Sequence, residues 1–213
     1  MSVDVKICGL KDRHAVAAAV AGGARLVGFV FYERSPRGIT LEQAAALART
    51  VPALVERVGL VVDAEDADLD AIAASGAVTM LQLHGREPPE RVAAVRARTG
   101  LPVIKAVAIG DAADVVRADE YAAVADRLLL DARPPAGALR PGGNAVTFDW
   151  RLVRDHAWRR PWLLAGGLNT DNLHAAVTAS GAAAVDVSSG VETREGIKSA
   201  ARIRAFLAAA AAL

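Results

Sequence analysis

A short apolar run, a few turn residues and an amphipathic stretch recur eight times along this chain of 213 residues. The apolar runs are rich in Val, Ile and Leu and predict buried β-strands, and the stretches between them predict helices. Alternating strands and helices favour a parallel sheet with right-handed crossovers. Eight such units favour an α/β protein with one domain over 1–213, folded as a single-domain (β/α)8 TIM barrel.

The boundaries of these units follow from turn and capping residues. The predicted strands are Val3–Cys8, Leu26–Phe31, Arg57–Val62, Val78–Leu83, Val103–Ala106, Arg127–Asp131, Trp162–Ala165 and Ala184–Ser188. The predicted helices are Asp12–Ala21, Thr40–Thr50, Asp66–Ser75, Pro88–Thr99, Ala112–Ala123, Asp149–Ala157, Thr170–Ala179 and Ser199–Ala210. Thr40 and Gln43 form a capping-box pattern at the start of their helix.

Composition excludes several classes of partner. The chain is 53% hydrophobic, which allows a large core, and 25 basic against 24 acidic residues leave a net charge of +1 with no basic stripe for nucleic acid. One cysteine excludes an internal disulfide and favours a reducing, cytoplasmic location. No apolar run has the length of a membrane span, and the first residues lack the layout of a signal peptide, so we expect no membrane partner.

Residues capable of chemistry follow the strand ends. Cys8 closes the first run, His84 closes the fourth and Asp131 closes the sixth. Turns containing Gly166-Gly167 and Ser188-Ser189-Gly190 follow the last two runs. The active sites of such barrels are built from the carboxyl ends of the strands, so these residues are the candidates for a site.

Strand alternation predicts which of these side chains point inward. Lys6 and Cys8 share one face of the first strand, and Gln82 and His84 share one face of the fourth. Asp186 lies on the matching face of the eighth strand. Polar groups are poor filler for an apolar barrel interior, so a cluster of them at one end predicts a polar site.

These residues lie in segments that resemble the phosphoribosylanthranilate isomerases, a family of (β/α)8 enzymes of tryptophan synthesis. The matching segments are VKICGL at 5–10, GFVFYERSPRGIT at 28–40, LQLHG at 81–85, LLLDA at 128–132, GGNAVTFDW at 142–150, LLAGGLN at 163–169 and VDVSSGVE at 185–192. They follow the order of the family and cover nearly the whole chain.

The resemblance implies an Amadori rearrangement of N-(5′-phosphoribosyl)anthranilate to 1-(2-carboxyphenylamino)-1-deoxyribulose 5-phosphate. It assigns the general base to Cys8 and the general acid to Asp131. This chemistry uses one acid and one base, so neither a metal nor another cofactor is expected. A base must reach its thiolate form, so we expect nearby positive charge or backbone dipoles to lower the pKa of Cys8.

The resemblance also implies how the phosphosugar substrate is bound. Arg37 corresponds to the arginine that binds the anthranilate carboxylate, and His84 and Asp186 line the same pocket. Backbone N–H groups of Gly166-Gly167 and of Ser188, Ser189 and Gly190 would hold the phosphate, since glycine lets the backbone approach an anion closely. The sequence is compatible with either a monomer or a homodimer.

Each of these residues also has a purely structural interpretation. Cys8 could be a buried packing residue, and Asp131 a turn or cap residue. His84 could be a hydrogen-bonded histidine without a catalytic role, and Arg37 a solvated loop charge like Arg34. The two glycine-containing turns could be ordinary tight turns or helix caps. Lys6 and Lys105 are expected to pair with nearby carboxylates and not to form a Schiff base.

The longest loop, Arg133–Ala145, directly follows Asp131 and is predicted to cover the substrate. Ala145 stands where the family motif has glycine, which predicts a stiffer loop.

Other functions fit the residues less well. Indole-3-glycerol phosphate synthase would require strand-end lysine and glutamate residues, and ribulose-phosphate epimerases would require metal-type His and Asp positions. The dual-substrate isomerase of histidine and tryptophan synthesis has aspartate at the position of Cys8. A non-catalytic phosphate-binding barrel remains the alternative of a different class, and the Cys8–Asp131 pair argues against it.

Overall fold

The computed structural model describes residues 3–135, 137, 142–143 and 146–213. Eight parallel strands, each hydrogen-bonded to the next, form a closed barrel in which β8 pairs with β1. The barrel strands are β1 Asp4–Cys8, β2 Leu26–Val30, β3 Glu56–Val61, β4 Met80–Leu83, β5 Val103–Ile109, β6 Arg127–Ala132, β7 Trp162–Leu164 and β8 Ala184–Val187. The predicted fold class is confirmed.

Helices surround the barrel. Within the described residues they are α1 Arg13–Ala21, α2 Leu41–Ala48, α3 Asp66–Ala74, α4 Pro89–Thr99, α5 Ala112–Ala122, α6 Leu173–Ser180 and α7 Ala200–Ala211. A short antiparallel hairpin, β9 Glu192–Arg194 and β10 Ile197–Lys198, lies between β8 and α7. The capping box predicted at Thr40 is confirmed, since its hydroxyl accepts the Gln43 N–H and the Gln43 side chain accepts the Thr40 N–H.

The predicted helix Asp149–Ala157 is wrong, because the segment forms only a 3₁₀ turn over Trp150–Val153. The indole N–H of Trp158 donates to the Val153 carbonyl at 2.9 Å, which occupies an acceptor that a longer helix would use. This is a side-chain contact, and the spacing of apolar residues does not predict it.

The predicted alternation of side chains is confirmed. Val5 and Ile7 of β1 pack in the large cluster between the strands and the helices. The barrel interior holds a second, smaller cluster of residues: Leu26, Val58, Met80, Ile104, Ala106, Leu129, Leu163 and Ala165. Above it, towards the carboxyl ends of the strands, a small cluster of Cys8, Val30 and Leu60 adjoins polar inward side chains that include His84 and Asp186. The apolar cluster therefore forms the floor of a polar site.

Candidate active site

Two adjoining cavities lie at the carboxyl ends of the strands. The larger is about 560 Å³ and is lined in part by His84 and Asp131. The smaller is about 70 Å³ and is lined in part by Cys8, Arg37 and Asp186. His84 borders both cavities, so the structure brings all five of these predicted residues to one mouth of the barrel.

Cys8 ends β1 and is buried beside a charged pair. Lys6, two residues earlier on the same face, donates to Asp186 of β8 at 2.8 Å. Burial is the largest influence on Cys8 and raises its pKa; the charge of Asp186 raises it further, and the positive charges of Lys6 and Lys198 lower it without reversing the increase. The predicted lowering of the Cys8 pKa is therefore wrong, although the predicted positive charge is present.

Asp131 is held by two donors near the end of β6. Its Oδ1 accepts the N–H of Ala132 at 2.9 Å, and its Oδ2 lies 3.2 Å from Nε2 of His84. The other ring nitrogen of His84 lies 2.8 Å from the amide nitrogen of Gln82. An amide nitrogen can only donate, so Nδ1 of His84 accepts from Gln82, and Nε2 carries the ring proton that it donates to the Asp131 carboxylate.

Arg37 is buried, whereas Arg34 is exposed to solvent, so the two arginines differ sharply. The guanidinium of Arg37 donates to both carboxylate oxygens of Glu192, from Nε at 2.7 Å and from Nη2 at 2.9 Å. Lys198 donates to the same carboxylate at 2.8 Å. Burial opposes the charge of Glu192, but these cations outweigh it and lower its pKa to about 2. Arg37 is therefore held rigidly.

Glu192 and Lys198 are site residues that the sequence analysis missed. Lys198 also donates to the carbonyl and hydroxyl oxygens of Ser188, and that hydroxyl donates to the carbonyl of Cys8 at 3.2 Å. One network thus joins Arg37 to the backbone of Cys8. The motif VDVSSGVE contains Glu192, but no local signal links it to an arginine 155 residues away.

The two turns after β7 and β8 lie against each other. Gly166 and Gly167 have φ angles of +88° and +62°, which favour glycine. A Cβ on Gly190 would overlap the carbonyl oxygen of Leu168, so only glycine allows the two turns to meet. Ser189 and Gly190 begin a single 3₁₀ turn, and none of the described residues accepts their backbone N–H groups. These N–H groups are available to an anion.

Only part of the loop Arg133–Ala145 is described. Gly142 lies beside His84 and Asp131, and Gly143 lies beside Nη1 of Arg37. Ala145 and the residues 136, 138–141 and 144 lie outside the described residues, so the predicted stiffening by Ala145 remains a prediction. Gly142 and Gly143 therefore bring the loop to both halves of the site.

The predicted structural pairing of the lysines is confirmed. Lys6 pairs with Asp186 at 2.8 Å inside the barrel, and Lys105 pairs with Glu87 at 2.7 Å on the outward face of β5. Among the residues that the structure describes, no three His, Cys, Asp or Glu side chains are grouped as a metal site would require.

Comparison with known proteins identifies the family. The family model described as N-(5′-phosphoribosyl)anthranilate isomerase matches residues 5–209. The chain belongs to the phosphoribosylanthranilate isomerase family. A curated member from Rhodospirillum centenum is 56% identical over 214 residues, which cover 100% of both chains. The family consists of isomerases that carry out an Amadori rearrangement, so the predicted family and enzyme class are confirmed.

Solved structures of this family share the fold. One is a phosphoribosylanthranilate isomerase in complex with reduced 1-(o-carboxyphenylamino)-1-deoxyribulose 5-phosphate. It has a TM-score of 0.85 and 36% identity, with 99% of this chain and 100% of that chain covered. Another, of monomers of the dimeric isomerase from Thermotoga maritima, has a TM-score of 0.84 and 36% identity, with the same coverage.

Proposed function

We propose that this isomerase converts N-(5′-phosphoribosyl)anthranilate to 1-(2-carboxyphenylamino)-1-deoxyribulose 5-phosphate with Asp131 as acid and Cys8 as base. The observation that carries the assignment is the position of these two groups. They come from β6 and β1, which are not neighbours, and His84 borders the cavities of both. A sugar bound across the mouth can therefore meet an acid on one side and a base on the other.

In the first step, Asp131 as the carboxylic acid protonates the ring oxygen of the ribose. The bond between C1 and that oxygen breaks, its electrons go to the oxygen, and the anthranilate nitrogen lone pair forms a C=N bond. The resulting Asp131 carboxylate accepts hydrogen bonds from the Ala132 N–H and from Nε2 of His84. These bonds stabilise the charge that the step creates.

In the second step, the Cys8 thiolate removes the proton from C2 of the protonated Schiff base. The C–H electrons form a C1=C2 bond, and the C=N electrons return to nitrogen, which gives a neutral enolamine. Transfer of a proton to C1 and loss of the hydroxyl proton at C2 then give the ketone. Both steps are proton transfers, so we propose that the protein uses no cofactor.

Arg37 is proposed to bind the anthranilate carboxylate. Glu192 holds Nε and Nη2, and Nη1 lies beside Gly143 at the smaller cavity. His84 and Asp186 line the same space and are proposed to contact the substrate. A fixed guanidinium loses little freedom on binding, which favours it over an exposed arginine such as Arg34.

The assay for this proposal follows the fluorescence of freshly generated N-(5′-phosphoribosyl)anthranilate, which should disappear rapidly with the purified protein. Arg37→Lys should raise KM about tenfold, because an ammonium keeps the charge but cannot bind both oxygens of Glu192 and still present a fixed donor to the substrate carboxylate. Arg34→Lys is the matched control and should behave like the parent. Background decay with the folded parent, or equal KM values for both variants, would contradict the assignment.

The phosphate is proposed to bind the backbone N–H groups of Gly166-Gly167 and of Ser188, Ser189 and Gly190. Gly190→Ala should raise KM at least about tenfold and weaken inhibition by inorganic phosphate, because the new Cβ must push the two turns apart. Gly100→Ala is the control. Its φ of +67° causes backbone strain, but its Cβ meets open space at the end of α4, so phosphate inhibition should persist. Unchanged inhibition in Gly190→Ala would exclude this phosphate site.

A cytoplasmic location is proposed from the single cysteine and from the biosynthetic role of the family. No helix among the described residues has the length and apolar character that crossing a bilayer requires. We propose a monomer or a homodimer, the two forms named for the Thermotoga maritima isomerase. Size-exclusion chromatography with light scattering distinguishes them.

A further inference from the structure

Lys6 is completely buried on the inward face of β1 and lies two residues before Cys8. Its partner in the register of β1 and β8 is Asp186, and the two side chains form an ion pair at 2.8 Å. A buried ion pair contributes little net stability, because the cost of removing both charges from water offsets their attraction. Below Lys6 lies the apolar interior cluster, and the inward ion pair Arg127–Glu56 lies at the opposite end of the barrel, at the first residues of β6 and β3. The position of Lys6 beside the site therefore calls for a functional explanation.

Gly28 shows that Lys6 also approaches the sulfur. Gly28 of β2 is the register partner of Cys8. A Cβ placed on Gly28 would lie 3.1 Å from the sulfur of Cys8 and 3.3 Å from Nζ of Lys6. The ammonium and the thiol thus converge over a glycine that leaves room for both. Lys6 has the Asp186 carboxylate and the Cys8 thiol as its two acidic neighbours.

Four charged groups act around the thiol. Lys6 and Asp186 face it from β1 and β8, Lys198 faces it from β10, and Arg37 faces it from the loop after β2. Lys198 and Arg37 are both hydrogen-bonded to Glu192. Burial lowers the pKa of Lys6, but Asp186 and Cys8 outweigh it and raise the pKa overall, so Lys6 keeps its charge at neutral pH.

We propose that Lys6 is a positioning residue of the isomerisation, whose ammonium supplies the countercharge for the Cys8 thiolate, while Asp186 limits how much of that charge reaches the sulfur. The proposal rests on the role of Cys8 as base. It explains how a buried thiol reaches its ionised form when the proton of the substrate must be removed. Lys6 itself acts through the Cys8 sulfur and exchanges no proton with the substrate.

Cys8 is the single cysteine of the chain, so its ionisation can be measured directly. The thiolate absorbance in the far ultraviolet is titrated with Cys8→Ser as the blank. Lys6→Met should move the titration midpoint to higher pH, and Asp186→Asn should move it to lower pH. Lys105→Met is the matched control, because Lys105 is equally buried and paired with Glu87 but is not among the charges acting on Cys8. It should leave the midpoint unchanged.

Kinetics separate this role from a structural one. Lys6→Met should lower kcat/KM at neutral pH by about tenfold or more. The kcat/KM of the variant should then approach the parent value as the pH rises, because more of the thiol is ionised. A structural defect would instead lower the rate equally at every pH. If Lys6→Met does not fold, the downward shift in Asp186→Asn still tests the proposal. An unchanged or raised midpoint in Asp186→Asn, or equal midpoints for Lys6→Met and Lys105→Met, would overturn it.

The activity of Cys8→Ser tests the proposed role of Cys8 as base separately from the thiol titration. If Cys8→Ser turns over substrate at the parental rate, Cys8 is not the base. The thiol titration then still reports whether Lys6 and Asp186 control the ionisation of the sulfur. The two hypotheses can therefore fail independently.

Discussion

Asp131→Asn and Cys8→Ser should each lower kcat by a factor of about 10² to 10⁴, which is the usual contribution of a general acid or base. The amide of asparagine cannot protonate the ring oxygen, although it keeps the shape of the side chain. A serine hydroxyl has a much higher pKa than a thiol, so it does not reach the ionised form that removes the proton. Because the two groups act in successive steps, loss of either should block net turnover. Both rates are measured from the decay of substrate fluorescence at saturating substrate.

The control for Asp131 lies at the other end of the same strand. Asp126 directly precedes β6 and accepts hydrogen bonds from Arg96 and from the N–H of Val103. Asp126→Asn should retain turnover, since this carboxylate lies at the amino ends of the strands. Circular dichroism establishes that each variant is folded. Turnover near the parental rate in folded Asp131→Asn would remove this residue from the mechanism.

Glu192→Gln should lower the free energy of unfolding by about 3 kcal/mol at neutral pH, because it leaves Arg37 and Lys198 buried without a carboxylate. Urea unfolding of the parent and the variant measures this loss. Glu33→Gln is a control on an exposed glutamate and should change stability little.

The same substitution should alter the response to acid. Glu192 has its pKa lowered from 4.5 to about 2 in the folded protein, so its charge stabilises the fold above pH 4.5. This contribution is lost as the pH falls from 4.5 to about 2. Glu192→Gln should therefore lose less stability than the parent over that interval. Parallel pH profiles for the two proteins, or equal stability at neutral pH, would contradict the role of this network.

The features that sequence predicts well are those determined by local periodicity. Alternation along β1 places Lys6 and Cys8 inside the barrel, and the end of β6 places Asp131 at its mouth. The capping box at Thr40 likewise involves residues three apart. Local geometry determines each of these features, so a single sequence contains enough information to predict them.

Features that depend on contacts between residues far apart in the sequence were not predicted. The pairing of Arg37 with Glu192 joins residues 155 positions apart, and only the closure of the barrel brings them together. The 3₁₀ turn over Trp150–Val153 ends through a contact with the indole of Trp158. Competition from side chains is not encoded in hydrophobic spacing, so the predicted helix was too long.

The sequence by itself determined the eight strands of the barrel, the family and the identity of the strand-end residues, because these depend on local periodicity and short motifs. Only the tertiary structure decided the electrostatic state of the site. The pKa of Cys8 is raised and not lowered, since burial in the closed barrel outweighs the charges of Lys6 and Lys198. Burial and charge balance depend on which strands meet, and that is known only once the barrel has closed.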